Sequence, residues 1–201
     1  MKRNTIIMMI TGIILGLAYP ADKIKSIVDN SRSSVNWTAS KISGDHTGGI
    51  SMKESYVEIE NHKLIGGKFV FDMNSITNTD VTSEEWNAKL VGHLKAEDFF
   101  DVEHFPLAVF NITKALAKKP SAEDKSNYLI QGDLTIKDIT HPIEFSAKLH
   151  FHNTVGHAEG SITVDRTLWD IQYRSGKFFE NLGDKLIYDN FVINFNVKTN
   201  K

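Results

Sequence analysis

Along most of this chain apolar side chains return at every second position. Val35, Trp37 and Ala39 alternate with Asn36, Thr38 and Ser40, the period of a strand with one buried face. Gly44-Asp45 turns the chain, and the strand that starts at His46 is interrupted by Gly48-Gly49 before Tyr56-Val57-Glu58-Ile59 continues it. Paired glycines inside a strand predict a bulge or a sharp bend. After Asn61-His62 the run from Leu64 to Ile76 places Phe69, Phe71 and Met73 on one face. Beyond Pro106 the alternation is cleaner. Ala108, Phe110 and Ile112 share a face, then Tyr128, Ile130, Gly132, Leu134 and Ile136, then Ile143, Phe145, Ala147, Leu149 and Phe151. Ala158, Gly160, Ile162 and Val164 make another. A less regular stretch from Arg166 to Lys185 separates them from a last strand bearing Asp189, Phe191, Ile193, Phe195 and Val197.

The period changes only once. Thr82-Ser83-Glu84-Glu85 has the form of a capping box, and Trp86, Leu90 and Leu94 then recur at every fourth position, so they share a helical face. Gly92 marks an early stop for that helix. It feeds into His93 to Pro106, where Phe99, Phe100, Phe105 and a proline stand among carboxylates and two histidines. Such a stretch is either an amphipathic plug over something apolar or a site.

About eight strands with one apolar face each, and a single helix, predict an all-β fold. An eight-stranded antiparallel β-barrel gives every apolar face the same interior and leaves no open edge. A barrel of that size is filled by side chains or holds one small ligand. A two-sheet sandwich buries the same faces without a cavity, and the long strands favour the barrel. No repeat or linker divides the chain.

Composition narrows the function. The net charge is −2 over 201 residues, with no basic field for nucleic acid. The absence of cysteine excludes disulfides, thiol nucleophiles and Cys-type zinc sites. At the N-terminus Lys2 and Arg3 precede an apolar run from Ile6 to Leu17 and the small residues around Ala18. This is the form of a secretory signal peptide. The run is shorter than the roughly 20 residues of a membrane span. The chain therefore divides into a signal peptide (1–18), a polar leader (19–32) and one domain (33–201). The mature protein is periplasmic or secreted, without stable membrane insertion.

Candidate chemistry is thin. No Gly-x-Ser-x-Gly, His-Glu-x-x-His or phosphate-binding loop is present. His150 and His152 share the outer face of one strand without a carboxylate to complete a metal set, so no metal or cofactor is expected. Arg166 either pairs with a carboxylate or offers a bidentate donor to an anionic head group. His93 either bonds a carbonyl at the helix end or meets a ligand. Asp189 is the one inward carboxylate on which an enzyme acting on a small apolar substrate would rely.

Three stretches carry a resemblance. They are His93-Leu94-Lys95-Ala96-Glu97-Asp98-Phe99-Phe100-Asp101-Val102 with Phe105-Pro106, Gly132-Asp133-Leu134-Thr135-Ile136-Lys137-Asp138-Ile139-Thr140-His141-Pro142, and Asp165-Arg166-Thr167-Leu168-Trp169-Asp170-Ile171. Together they resemble the YceI-like family of secreted, lipocalin-like proteins that bind polyisoprenoid or other long-chain lipids. The family usually has glycine where this chain has Asp138, and the segment from Gly176 to Lys185 is longer than in its simplest members. The resemblance implies a lipocalin-like barrel with a short helical cap, no catalysis, and a long-chain amphiphilic lipid (a quinone, prenyl diphosphate or similar) as partner; a homodimer is compatible with it. Its ligand contacts would be Phe69, Phe71, Phe110, Phe145, Phe191 and Phe195 along the barrel. Trp86, Leu90, His93, Leu94, Phe99 and Phe100 would act from the cap, and Arg166 and Trp169 at the mouth.

Overall fold

The structure, a computed structural model, describes residues 23–152 and 155–200, without the side chain of His152. The signal peptide expected over 1–18 lies outside the described residues. The strands are β1 (Lys23–Ile27), β2 (Ser34–Lys41), β3 (Gly44–Gly49), β4 (Ser51–Met52), β5 (Tyr56–Glu60) and β6 (Lys63–Asp72), then β7 (Leu107–Ala117), β8 (Tyr128–Ile136), β9 (Ile139–His152), β10 (Val155–Asp165) and β11 (Ile187–Lys198). One α-helix, α1 (Glu84–Lys95), crosses between β6 and β7.

All eleven strands join one strongly curled antiparallel sheet in the order β1-β5-β6-β7-β8-β9-β10-β11-β2-β3, with β4 paired to β6. The chain leaving β3 passes through Ile50 into β4, so it connects the margin beside β2 to β6. Near the other end of the barrel Val28 bridges Thr199, just past β11. The strand count exceeds eight for two reasons. The strand predicted from His46 through Ile59 is three, β3, β4 and β5, and the stretch read as a polar leader contains β1, whose Ile24 and Ser26 stand opposite Ile59 and Val57. Alternation was too short there to be recognised, because only cross-strand pairing with β5 holds β1 extended.

Local rules account for the turns. Lys137 and Asp138 both adopt positive φ, 49° and 58°, as a two-residue hairpin of right-handed twist requires, so Asp138 serves where glycine is usual. Gly48 answers a close approach. A Cβ there would run into the Thr77 carbonyl and stand 2.6 Å from the Trp37 ring. That contact lets Thr77 and Thr79 donate to the Gly49 and Thr47 carbonyls, which covers the exposed edge of β3.

Antiparallel register gathers four connections at one end: the β2–β3 turn, the 73–106 crossing, the β8–β9 turn and the 166–186 crossing. This is the cap end. Ser83, one residue later than the predicted box, caps α1 by accepting the Trp86 N–H at 3.5 Å. The helix also runs through Gly92 to Lys95 and buries no residue. Among the described residues no helix is long and apolar enough to cross a membrane.

Candidate functional site

The inward faces do not fill the barrel. Two chambers lie in line, about 100 Å³ in the half away from the cap and about 120 Å³ beneath the cap. Val35, Phe71, Leu134 and Ile193 belong to both walls and form the waist between them. Small inward residues open the space: Ala147 and Ala158 border the lower chamber, Ala39 and Ala108 the upper.

The walls are almost entirely carbon, and the few polar groups at their margin are engaged. In the lower chamber Thr199 Oγ1 accepts the Gly156 N–H at 2.7 Å. In the upper chamber Trp37 donates its indole N–H to the Thr77 carbonyl at 3.1 Å. Buried polar groups satisfied in this way present a dry surface to whatever occupies the channel.

Arg166 borders the upper chamber, but its fork is turned away from a head group. It donates to the carbonyls of Ile171 (2.7 Å), Tyr188 (3.2 Å) and Ile187 (3.1 Å). Its Nη2 also lies 3.6 Å from Asp189 Oδ1. Burial lowers the guanidinium pKa, and the nearby Asp189 and Asp165 carboxylates oppose that shift. The arginine is a knot tying the start of β11 to the end of β10. Asp189 is ion-paired with Arg166 and, at 3.7 Å, with Lys177, and it borders neither chamber. The carboxylate on which an enzymatic reading depended thus stands between two cations outside the chambers, and its Oδ1 is buried without a hydrogen bond.

The other residues singled out from sequence divide clearly. Phe69, Phe110, Phe145 and Phe195 line the lower chamber, Phe191, Leu94, Phe99 and Phe100 the upper, and Phe71 both. Four do not reach the channel. Trp86 is 62 % exposed on the outer face of α1 with the Lys89 ammonium 4.4 Å over its ring, and Leu90 also borders neither chamber. A strict fourth-residue spacing drifts around a helix of 3.6 residues per turn, so only the last member, Leu94, faces inward. Trp169 is fully buried, donating to the Leu134 carbonyl at 3.2 Å with its ring edge-on to His141. His93 is a clamp. Its Nε2 meets Asp98 Oδ2 at 2.8 Å, and its ring packs against Phe99 and Tyr173 at 4.9 and 4.6 Å. At the outer face His150 stands opposite His157 in register, and among the described residues no three potential ligands gather for a metal.

The wall residues that the sequence reading does not name as ligand contacts include Val35, Trp37 and Tyr188. Trp37 was placed on an apolar face, and that signal was sufficient to nominate it. Tyr188 lies next to an irregularity in the pairing of β11 with β2, which shifts the register there.

A curled antiparallel sheet around an apolar channel, capped at one end by a crossing with a helix, defines a lipocalin-like barrel. The chain belongs to the YceI-like domain family, whose pattern matches residues 27–199. Its fold is similar to BcnA of Burkholderia cenocepacia, at 17 % identity with a TM-score of 0.62 over 86 % of this chain and 99 % of that one. It is also similar to a polyisoprenoid-binding domain from Saccharophagus degradans, at 10 % identity with a TM-score of 0.61 over 86 % and 96 % of the two chains. No curated protein matches the chain in sequence.

Proposed function

We propose that the protein holds the tail of one long-chain amphiphile, an isoprenoid quinone, prenyl diphosphate or similar lipid, and carries or stores it after export without transforming it. The observation that carries this reading is the pair of aligned, carbon-walled chambers whose bordering polar groups are engaged elsewhere. Each chamber is smaller than the roughly 150 Å³ apolar cavity that accepts benzene, and far below the roughly 300 Å³ at which compact ligands are usually held. A flexible chain threads such a space where a compact molecule does not. The waist at Phe71 would have to rotate to let one chain pass through both. Each buried methylene contributes up to ~0.8 kcal/mol, reduced by ordering of the tail. The structural relative from Saccharophagus degradans is described as polyisoprenoid-binding, which supports a prenyl tail. Export rests on the basic and apolar N-terminal stretch.

The test is organic extraction of protein purified from its native compartment, followed by mass spectrometry, together with uptake of a fluorescent prenyl probe from micelles. A stoichiometric long-chain lipid and saturable uptake are expected. Absence of both would overturn the reading.

A further inference from the structure

Large apolar side chains that remain in water are concentrated at one end of this barrel. Of the ten such residues among the described ones, seven belong to the cap end. Trp86 on α1 is the most exposed of them. Leu107 begins β7, and Ile42 occupies the β2–β3 turn. Leu168, the adjacent Phe178 and Phe179, and Tyr188 sit on or just beyond the 166–186 crossing, each about half exposed.

These segments are tied together. The Ile42 N–H donates to the Leu186 carbonyl at 3.3 Å, and the Ile187 N–H to the Arg174 carbonyl at 3.0 Å. Tyr173 packs against His93 and Phe99 of the cap. Phe178 and Phe179 stand on an ordered turn: both N–H groups donate to the carbonyl of Ser175, at 3.2 and 3.0 Å, and Ser175 is fully buried. Tyr188 is at once half exposed on this rim and part of the upper-chamber wall, so the apolar surface runs into the channel.

The rim is not cationic. Lys177 is bound by Asp165 at 2.6 Å and faces Asp189 at 3.7 Å, and Arg166 is buried. Arg174 and Lys185 remain on the crossing against Asp170, Glu180 and Asp184.

We propose that the cap end docks on a lipid bilayer, with Phe178 and Phe179 inserted below the head groups and Trp86 beside them at head-group level. Docking would set the upper chamber against the membrane. Aromatic and aliphatic side chains around a mouth, without a basic field, suit apolar insertion. The occupant follows from the continuity of rim and channel, and the inference rests on the lipid-holding reading. A tail that crossed water would meet a partition penalty of about four-fold per methylene, which contact with the bilayer removes.

The test is flotation of the mature chain with vesicles of phosphatidylcholine alone and with about 30 % phosphatidylglycerol, at low and high salt. Binding to the neutral vesicles is expected, changing less than about two-fold with anionic lipid or salt. The double variant Phe178→Ser/Phe179→Ser should weaken it at least about ten-fold. Quenching by brominated lipid should reach a tryptophan in the native protein and be lost in Trp86→Phe. Probe uptake from micelles should be unchanged in both variants, since none of these three residues borders a chamber. Absence of vesicle binding, binding indifferent to the phenylalanines, or a dimer in solution that buries them and dissociates in the double variant would each overturn the docking. Phenylalanine-dependent binding by a native protein that takes up no probe would support docking and count against the lipid-holding reading alone.

Discussion

Replacing Ala158 with phenylalanine places a ring where the proposed lipid tail would lie. Ala158 sits on β10 opposite Leu149 and Val197, and its methyl borders the lower chamber. The chamber offers about 100 Å³, against roughly 150 Å³ for an apolar cavity that takes up benzene, so the ring fits only if its neighbours yield. Overpacking of that kind costs about 1–3 kcal/mol, and burial of the ring returns about 1.5–3 kcal/mol. The net change lies within about 2 kcal/mol, a shift in Tm of no more than roughly 8 °C for a chain of this size. Ligand loss is larger. Displacing one isoprene unit of about five carbons forfeits up to ~4 kcal/mol of burial, close to three decades in Kd before the ordering of the tail is credited back. Thermal melts, probe titration and extraction would be run beside Ser161→Phe, on the outward face of the same strand. A well-folded Ala158→Phe protein that binds the probe as tightly as the native chain would refute the assignment of this chamber to the tail.

Three further outcomes follow from particular contacts. Arg166→Ala should destabilise the fold by about 3–5 kcal/mol, because three carbonyls and the Asp189 carboxylate lose a buried partner; a denaturant midpoint close to native would contradict that role. For Asp80, burial raises the carboxyl pKa, but the Thr47 N–H, His46 and Asn78 outweigh it and bring the group down to about 2, below the ordinary 3.8. A depressed carboxylate stabilises above its unfolded pKa and loses that contribution as pH falls toward the folded value. The gap in Tm between native and Asp80→Asn should therefore be present above pH 4 and close between about pH 4 and 2, and a gap constant down to pH 2 would refute the pairing. Gly132→Ala would drive a methyl against the Asn111 carbonyl and to 2.5 Å from the Phe110 ring, so it should cost about 1–3 kcal/mol and change probe affinity by pushing Phe110 toward the channel.

Strand period alone was enough to orient Phe69, Phe71, Phe110, Phe145, Phe191 and Phe195 inward, because alternation obliges every second side chain to share a face. Trp86, His93, Trp169 and Arg166 could not be read this way. Trp86 and Trp169 are equally apolar in sequence, yet one is 62 % and the other 1 % exposed. What separates them is the Leu134 carbonyl, which reaches Trp169 from a strand 35 residues away. Arg166 shows the same limit, since its partners on β11 lie 21 and 22 residues further along.

The sequence by itself determined the β architecture, the helix that follows Ser83, a turn at Asp138 and the apolar interior. All of these follow from local periodicity and turn chemistry. Only the tertiary structure decided that β1 joins the sheet, that the interior keeps two chambers open, and that the arginine at the mouth gives its hydrogen bonds to three backbone carbonyls rather than to the neighbouring Asp189 carboxylate. Those outcomes depend on which residues meet across long loops, and on whether small and large side chains on different strands fall at the same level, which no single stretch of chain encodes.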